Sequence, residues 1–188
     1  KGKTLHSFSK KHKMKIGKID DLISFRLKKE KLIKVKKNST IKISNESYDI
    51  RIFENLLDGS EHFALIKGNI KASKYPRVRV ISSNIVKNYL MGEKLPNSFN
   101  NTIKYFKKHK DCVLIFIRDT NLKSVSETLT GYKSKNTNRI TGDKLIKNYG
   151  IGAQIIKFLS IKKMILVTRS KKRVVGLDGF GIKITKQE

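Results

Sequence analysis

A chain of 188 residues can hold one ordinary domain with a short appendage, and its 38% of hydrophobic residues suffice for a core. No apolar run approaches the roughly 20 residues that cross a bilayer, and the single cysteine excludes an internal disulfide or a multi-cysteine zinc site. The 43 Lys and Arg against 15 Asp and Glu give a formal charge of +28, which would attract a polyanion.

The first part of the chain predicts helices over residues 4–13 and 18–30, the second with apolar residues at helical spacing and acids near its start. The chain then becomes rich in lysine, and we expect residues 28–37 to lack regular structure. We therefore place a domain boundary there, between a terminal region of residues 1–37 and a main domain of residues 38–188.

From Ser39 onward the apolar residues alternate, which is typical of half-buried strands. This alternation predicts strands at residues 41–43, 48–52, 63–66 and 77–81. Asn55–Gly59 has the residue types of a turn between two of them. Gly92 and Pro96, together with several Asn and Ser, predict a loop over residues 89–101, and a helix is expected over residues 99–110.

A long helix is the clearest element of the second half. It has Thr141 as a candidate N-cap and apolar residues on one face as far as Leu159. Gly150 and Gly152 each cost up to ~1 kcal/mol relative to alanine inside a helix. Their presence indicates that another backbone packs closely against this helix.

Apolar runs at Cys112–Ile117 and residues 164–168 predict buried strands, and residues 182–184 predict an edge strand. Within such a strand the Cys112 thiol is expected to be inert rather than nucleophilic. A short helix is expected over residues 169–176. Strands followed by alternating helix and strand predict an α+β fold with a mixed sheet.

Several segments carry a resemblance to a known family. Asn148–Ile156 reads NYGIGAQII, and it is followed by a strand, Thr168 and the sequence VGLDGFG at residues 175–181. This series resembles GTP cyclohydrolase II, in the form fused behind 3,4-dihydroxy-2-butanone 4-phosphate synthase in bifunctional riboflavin-biosynthesis proteins. EHFALIKG at residues 61–68 and RVRVISSN at residues 77–84 are similar to upstream segments of the same family.

The resemblance extends to the start of the chain, where residues 8–23 look like the closing helices of the synthase domain. It implies a GTP cyclohydrolase II-like fold, a synthase domain fused upstream, a homodimer, and GTP or another phosphate as ligand. The lone reduced thiol fits a cytoplasmic location, and no membrane partner is expected.

The family opens the imidazole ring of GTP with water that is activated by zinc, which three cysteines hold. The resemblance places the first ligand position on Asn84 and, by gapless continuation, the other two on Leu95 and Asn97. None of these side chains replaces a thiolate, and no ligand spacing supports His62 or His109 as substitutes. We therefore expect no metal and no cofactor, and we expect His62 to be a sheet residue with a local hydrogen bond.

The positions of the general base and the nucleophile fall on Leu145 and Lys147. Leucine cannot accept a proton, and lysine lacks the planar fork of an arginine, so no catalytic residue is expected. Only nucleotide or phosphate contacts carry over: Arg79, Ser82, Arg118 and Thr168 match the family residue, and Arg173 stands where the family has a lysine.

These losses predict a cyclohydrolase-like domain that is inactive and kept for structure, dimerisation or regulation, although the family activity leaves its status as an enzyme open. One alternative is an active or GTP-binding cyclohydrolase II with replaced ligands, which would convert GTP to a diaminopyrimidine, formate and pyrophosphate. A lesser alternative is a polyanion or nucleic-acid binder driven by the charge of +28.

Overall fold

The computed structural model describes residues 2–17, 25, 29–84, 95–119, 125–126, 129, 142–168, 177 and 180–188. The chain divides into two units, Lys1–Glu30 and Lys31–Glu188. The first unit contains helix α1, Gly2–Lys11, which confirms the first predicted helix and leaves Leu5 and Phe8 exposed. Most of the second predicted helix lies outside the described residues. Within the described part, no helix is both long and apolar enough to cross a membrane.

The second unit is built around a seven-stranded mixed sheet, which confirms the predicted α+β class. In chain order its elements are β1 (Ile33–Ile43), β2 (Glu46–Asn55), β3 (Glu61–Lys67), β4 (Arg77–Ser82), α2 (Leu95–Lys107), β5 (Cys112–Ile117), α3 (Gly142–Phe158), β6 (Lys163–Leu166) and β7 (Lys183–Gln187). The strand order across the sheet is β1-β2-β3-β5-β4-β6-β7, so β7 lies at an edge as the sequence predicts.

The direction of the strands defines two edges of the sheet. Strands β1, β2 and β3 form an antiparallel meander, and β3 pairs antiparallel with β5. Strands β5, β4, β6 and β7 are mutually parallel. Their carboxyl ends therefore point the same way, towards what we name the carboxyl edge, and their starts define the opposite, amino edge.

Each face of the sheet is covered by one of the described helices. Helix α3 packs on the face that includes Val78 and Ile115, and α2 packs on the face that includes Ile81 and Leu114. Because side chains alternate along a strand, successive residues of β4 and β5 are divided between these two cores.

Gln154 of α3 is buried, and its Oε1 accepts a hydrogen bond of 2.9 Å from the backbone N–H of Leu32. This bond links the start of the sheet to the helix whose sequence carries the GIGAQ segment.

Three expectations are wrong. Residues 33–37 are not irregular, because Leu32 and Ile33 are buried and β1 starts at Ile33. Residues 95–98 are helical rather than a loop, so the helix predicted from residue 99 starts four residues earlier. The neighbour of Gly152 is not a backbone: a Cβ built there would lie 3.8 Å from Cγ1 of Val80, an ordinary side-chain contact. The predicted cap at Thr141 and the predicted helix at residues 169–176 lie outside the described residues.

Candidate functional site

The ends of β4 and β5 are joined at the carboxyl edge by a small polar network. Ser82 pairs with Ile117 in register, and the Ser83 N–H donates to the Ile117 carbonyl at 3.0 Å. The Asp119 N–H donates to Oγ of Ser83 at 3.4 Å. Asn84 Nδ2 donates to Oδ2 of Asp119 at 2.8 Å, a bond to a charged acceptor and thus one of the stronger kind. Two loops that follow neighbouring strands are therefore fastened to one another.

Arg79 and Thr168 are brought together on the other side of β4. The Arg79 guanidinium donates from Nη1 to the carbonyl of Val167 at 2.8 Å. Thr168 is the next residue, and its N–H donates to the Glu188 carbonyl at 2.6 Å. This bond fixes the direction of the Arg79 guanidinium beside Thr168.

Ser82 does not share a face with Arg79. Arg79 lies on the same face as Ile81, which packs under α2. Ser82 lies on the same face as Val78, which packs under α3. Two residues that the resemblance assigns to phosphate contacts therefore project from opposite faces of the sheet. Only contacts that pass around the end of β4 could use both of them.

Arg118 directly follows β5 and has an exposed side chain, so its guanidinium is accessible to solvent at the carboxyl edge. Its backbone N–H donates to Nδ1 of the buried His62 at 3.2 Å. Because Nδ1 accepts, the ring proton is on Nε2, which lies 3.3 Å from Oγ of Ser60. The Ser60 hydroxyl in turn donates to Asp58.

This arrangement confirms His62 as a sheet residue with local hydrogen bonds. The order of donors also excludes activation of the Ser60 hydroxyl by His62. The hydroxyl proton goes to Asp58, and the ring nitrogen that faces Ser60 is the one that carries a proton.

The residues present do not fit the zinc ion that the resemblance implies. Asn84, at the first ligand position, presents an amide N–H₂ to Asp119 rather than a thiolate to solvent. Cys112 is at the start of β5, five residues and about 17 Å from its carboxyl end. Burial raises the pKa of this thiol to about 12, so it stays protonated at neutral pH. Among the described residues no group of three His, Cys, Asp or Glu side chains is placed to hold a metal.

His109 is no substitute ligand either. It lies in the turn before β5, at the amino edge, with its ring 4.4 Å from that of Tyr105. Burial and the nearby positive charge of Arg77 lower the pKa of its imidazole. His62 and His109 therefore stand at opposite ends of the same sheet, too far apart to share an ion.

The remaining predicted positions are described in part or not at all. Leu145 and Lys147 lie in the first half of α3, and Leu95 and Asn97 in the first turn of α2; the structure describes their helical backbone but not their side chains. Arg173 lies outside the described residues.

Sequence reasoning missed Ser83 and Asp119 as members of the site. The signal was present, because each lies two residues beyond the end of a predicted strand, and the carboxyl ends of adjacent parallel strands meet at one edge. What the sequence did not show was that β4 and β5 are parallel neighbours.

Comparisons with known proteins agree with this fold. The family profile described as GTP cyclohydrolase II matches residues 34–188. The riboflavin biosynthesis protein RibBA of Chlorobium phaeovibrioides is 26% identical over 194 aligned positions, which cover 97% of this chain and 47% of that protein. The monofunctional riboflavin biosynthesis protein RIBA 2, chloroplastic, of Arabidopsis thaliana is 28% identical over 190 positions, which cover 96% and 39%.

Among solved structures, the chain is similar to RibBX of A. baumannii, described as a two domain 3,4-dihydroxy-2-butanone 4-phosphate synthase. The TM-score is 0.70 at 25% sequence identity, and the match covers 98% of this chain and 48% of that one. The chain thus spans less than half the length of each of these three proteins.

Proposed function

Because the chain belongs to the GTP cyclohydrolase II family, we propose that it serves riboflavin biosynthesis as a domain without cyclohydrolase turnover. Its role is structural, dimer-stabilising or regulatory, and it acts beside a 3,4-dihydroxy-2-butanone 4-phosphate synthase domain of the same protein. The family fold is retained, whereas the groups that would activate water at the nucleotide base have changed.

The hydrogen bond from Asn84 to Asp119 carries this proposal. An amide nitrogen that donates to a carboxylate has no lone pair to offer a metal, and the amide oxygen that remains is a ligand type that suits Mg²⁺ or Ca²⁺ better than Zn²⁺. The carboxylate is held in turn by that bond and by the Ser83–Asp119 contact. This contact between two loops, at the position of the first zinc ligand, supports the proposal that the family chemistry does not begin there.

The other changes act in the same direction. Loss of a general base alone commonly lowers a rate by about 10²–10⁴, and leucine at position 145 has no group that accepts a proton. These effects do not add, since groups that act as a unit fail together. Even one of them would lower the rate by orders of magnitude.

The similar A. baumannii protein supports the association with a synthase, because its two domains together are described by the synthase activity. The description of the Chlorobium protein names riboflavin biosynthesis and no single reaction. For this chain, a dimer would give a molar mass of twice 21.6 kDa in light scattering after size exclusion. A mass of 21.6 kDa across the concentration range would remove dimerisation from the proposed roles.

A second candidate keeps a phosphate ligand without chemistry. It rests on the adjacency of Arg79 and Thr168 and on the exposed Arg118 at the same edge. Titration calorimetry with GTP and with inorganic pyrophosphate tests it: heat that is lost in Arg79→Met but kept in Arg51→Met, a change on a distant strand, supports a retained anion site. The absence of heat with either anion removes it.

Release of formate from GTP tests the proposed lack of turnover. The protein, supplied with excess zinc, is incubated with GTP beside an active cyclohydrolase II at equal concentration. We expect formate at the level of the protein-free blank. Formate that rises with protein concentration and stops on addition of a chelator would refute the proposal.

A further inference from the structure

The turns at the amino edge of the sheet bring together lysines that are far apart in the sequence. All of them are exposed, and we name them the amino-edge lysines: Lys71, Lys74, Lys107, Lys108, Lys110, Lys162, Lys163 and Lys183. They precede β4, β5, β6 and β7 or occupy the first position of a strand. None of the helices or strands carries them as a stripe, so the linear sequence does not show this grouping.

Backbone contacts hold these turns side by side. The Asn69 N–H donates to the Asp111 carboxylate at 3.0 Å, which joins the β3–β4 turn to the turn before β5. The Ile165 N–H donates to the Pro76 carbonyl at 3.0 Å, and the Lys183 N–H donates to the Lys162 carbonyl at 2.8 Å. The lysines are therefore carried on one continuous, hydrogen-bonded edge.

Acidic side chains are distributed unevenly over the sheet. Three cations of strands β1–β3 form ion pairs: Lys34 with Glu54 at 3.3 Å, Lys36 with Glu61 at 2.7 Å and Lys67 with Glu46 at 2.7 Å. Lys67 lies at the amino edge opposite Cys112, and Arg77 at the same edge pairs with Glu188 at 3.4 Å. The turns of the amino edge contain a single acid, Asp111, in residues 68–76, 107–111, 159–163 and 181–183. The Asp111 carboxylate accepts a hydrogen bond from the Asn69 N–H. No described acidic side chain forms an ion pair with any amino-edge lysine. The acids that reach this edge, Glu46 and Glu188, are paired with Lys67 and Arg77 instead.

We propose that the amino-edge lysines bind the phosphate backbone of a nucleic acid, independently of the carboxyl edge and of any riboflavin chemistry. The edge from β3 to β7 spans four strand spacings, or about 19 Å. A DNA duplex presents one negative charge per ~1.7 Å, so about 11 phosphates pass along this length. The spacing of the lysines therefore allows several of them to contact phosphates at once.

The composition of the surface favours nucleic acid over other anionic partners. Protein interfaces are depleted in lysine and depend on Trp, Tyr and Arg anchors, whereas the one side chain of these types in the turns is Tyr75, which is partly exposed and has Lys74 over its ring. Among the described residues, none of the exposed large apolar side chains belongs to these turns. A membrane would gain no hydrophobic insertion there. Lysine as a flexible point charge suits phosphate contacts that do not read sequence.

Fluorescence anisotropy of a labelled short DNA duplex tests the proposal across about 0.05–0.2 M salt, where backbone binding weakens steeply. The test variant combines K71Q, K74Q, K108Q and K110Q. The matched control combines K34Q, K36Q, K37Q and K42Q on β1, at the far side of the sheet. Each changes the formal charge from +28 by four, to +24, so the two lose equal charge at different places on the sheet. The control also releases Glu54 and Glu61 from their ion pairs with Lys34 and Lys36.

For wild type we expect the logarithm of the binding constant to fall linearly with the logarithm of salt concentration. Each lost phosphate contact reduces the magnitude of this slope by ~0.9, so the four changes of the test variant should reduce it by up to about 3.6. At ~0.1 M salt the test variant should bind at least tenfold more weakly, and the control within about threefold of wild type. Equal thermal midpoints of both variants establish that folding is unchanged. If the thermal midpoints differ, the single variants K108Q and K37Q, which disturb the fold less, are compared instead.

Three results would overturn the proposal. Equal losses in the two variants would assign binding to the charge of the whole chain. Absence of binding at ~0.15 M salt, where contacts with several phosphates should still be measurable, would remove the site. Displacement of the duplex by polyglutamate of equal charge, or equal binding to phosphatidylserine vesicles, would assign the surface to a different partner.

Discussion

The buried hydrogen bond between Gln154 and Leu32 gives the sharpest test of how the domain is held together. Gln154→Met keeps the length and approximate volume of the side chain but removes the acceptor of the 2.9 Å bond. The Leu32 N–H is then buried without a partner, because the residue is only 7% exposed. Leaving a buried donor unsatisfied costs about 1–3 kcal/mol, so the free energy of unfolding should fall by that amount.

Urea unfolding, followed by circular dichroism, measures this change in the free energy of unfolding. The matched control is Lys157→Met, on the exposed side of the same helix, for which we expect a change within ~0.5 kcal/mol. Hydrogen exchange of the Leu32 amide should accelerate in Gln154→Met beyond the loss in global stability. A Gln154→Met protein as stable as the Lys157→Met protein, with an unchanged Leu32 amide, would contradict the reasoning.

Three further changes have expected outcomes. Gly68 has a φ of +77°, and an added Cβ would lie 2.3 Å from the Lys110 carbonyl oxygen, so Gly68→Ala should lose at least ~3 kcal/mol of stability in urea unfolding. Gly59→Ala, at φ +69° with open space, should lose only about 1–2 kcal/mol; equal losses would show that the close approach is not limiting. Tyr48→Phe removes a buried hydroxyl that has no hydrogen-bond partner among the described residues, and its thermal midpoint should stay equal or rise, whereas a clear fall would reveal a partner. Burial raises the pKa of Cys112 from 9.0 to about 12, so the folded state holds the proton more tightly. Stability should therefore fall as the pH rises from about 9 towards 12, and Cys112→Ala should flatten that decline; an unchanged slope would contradict the shift.

The strands of the sheet were predictable where burial is periodic. The apolar run Cys112–Ile117 predicts β5, and the alternation of Tyr48, Ile50 and Ile52 predicts β2. Their order in the sheet was not predictable, because β4 and β5 become parallel neighbours only when β3 pairs with β5 and the intervening helix crosses over.

The two misplaced boundaries have physical causes. Strand β1 is an edge strand, so lysines occupy its solvent-facing positions and conceal the inward Ile33 and Val35. Pro96 predicts a loop, but it is the second residue of α2, and a proline is tolerated in the first turn of a helix because the N–H it lacks would have no partner there.

The candidate site was predictable by residue type and not by orientation. Asn84 and Cys112 could be dismissed as zinc ligands from the sequence, but the bond from Asn84 to Asp119 depends on the register of two strands. Likewise, Arg79 and Ser82 carry over together from the resemblance, and the pleat of β4 then separates them onto opposite faces.

Zinc content tests the central claim most directly. The protein is incubated with excess zinc, desalted and analysed for bound metal by mass spectrometry, with an active cyclohydrolase II treated in parallel. With Asn84 bonded to Asp119 and Cys112 buried at the opposite end of β5, the stoichiometry should be far below one zinc per chain. One tightly held zinc per chain, lost together with thermal stability on addition of a chelator, would contradict the account.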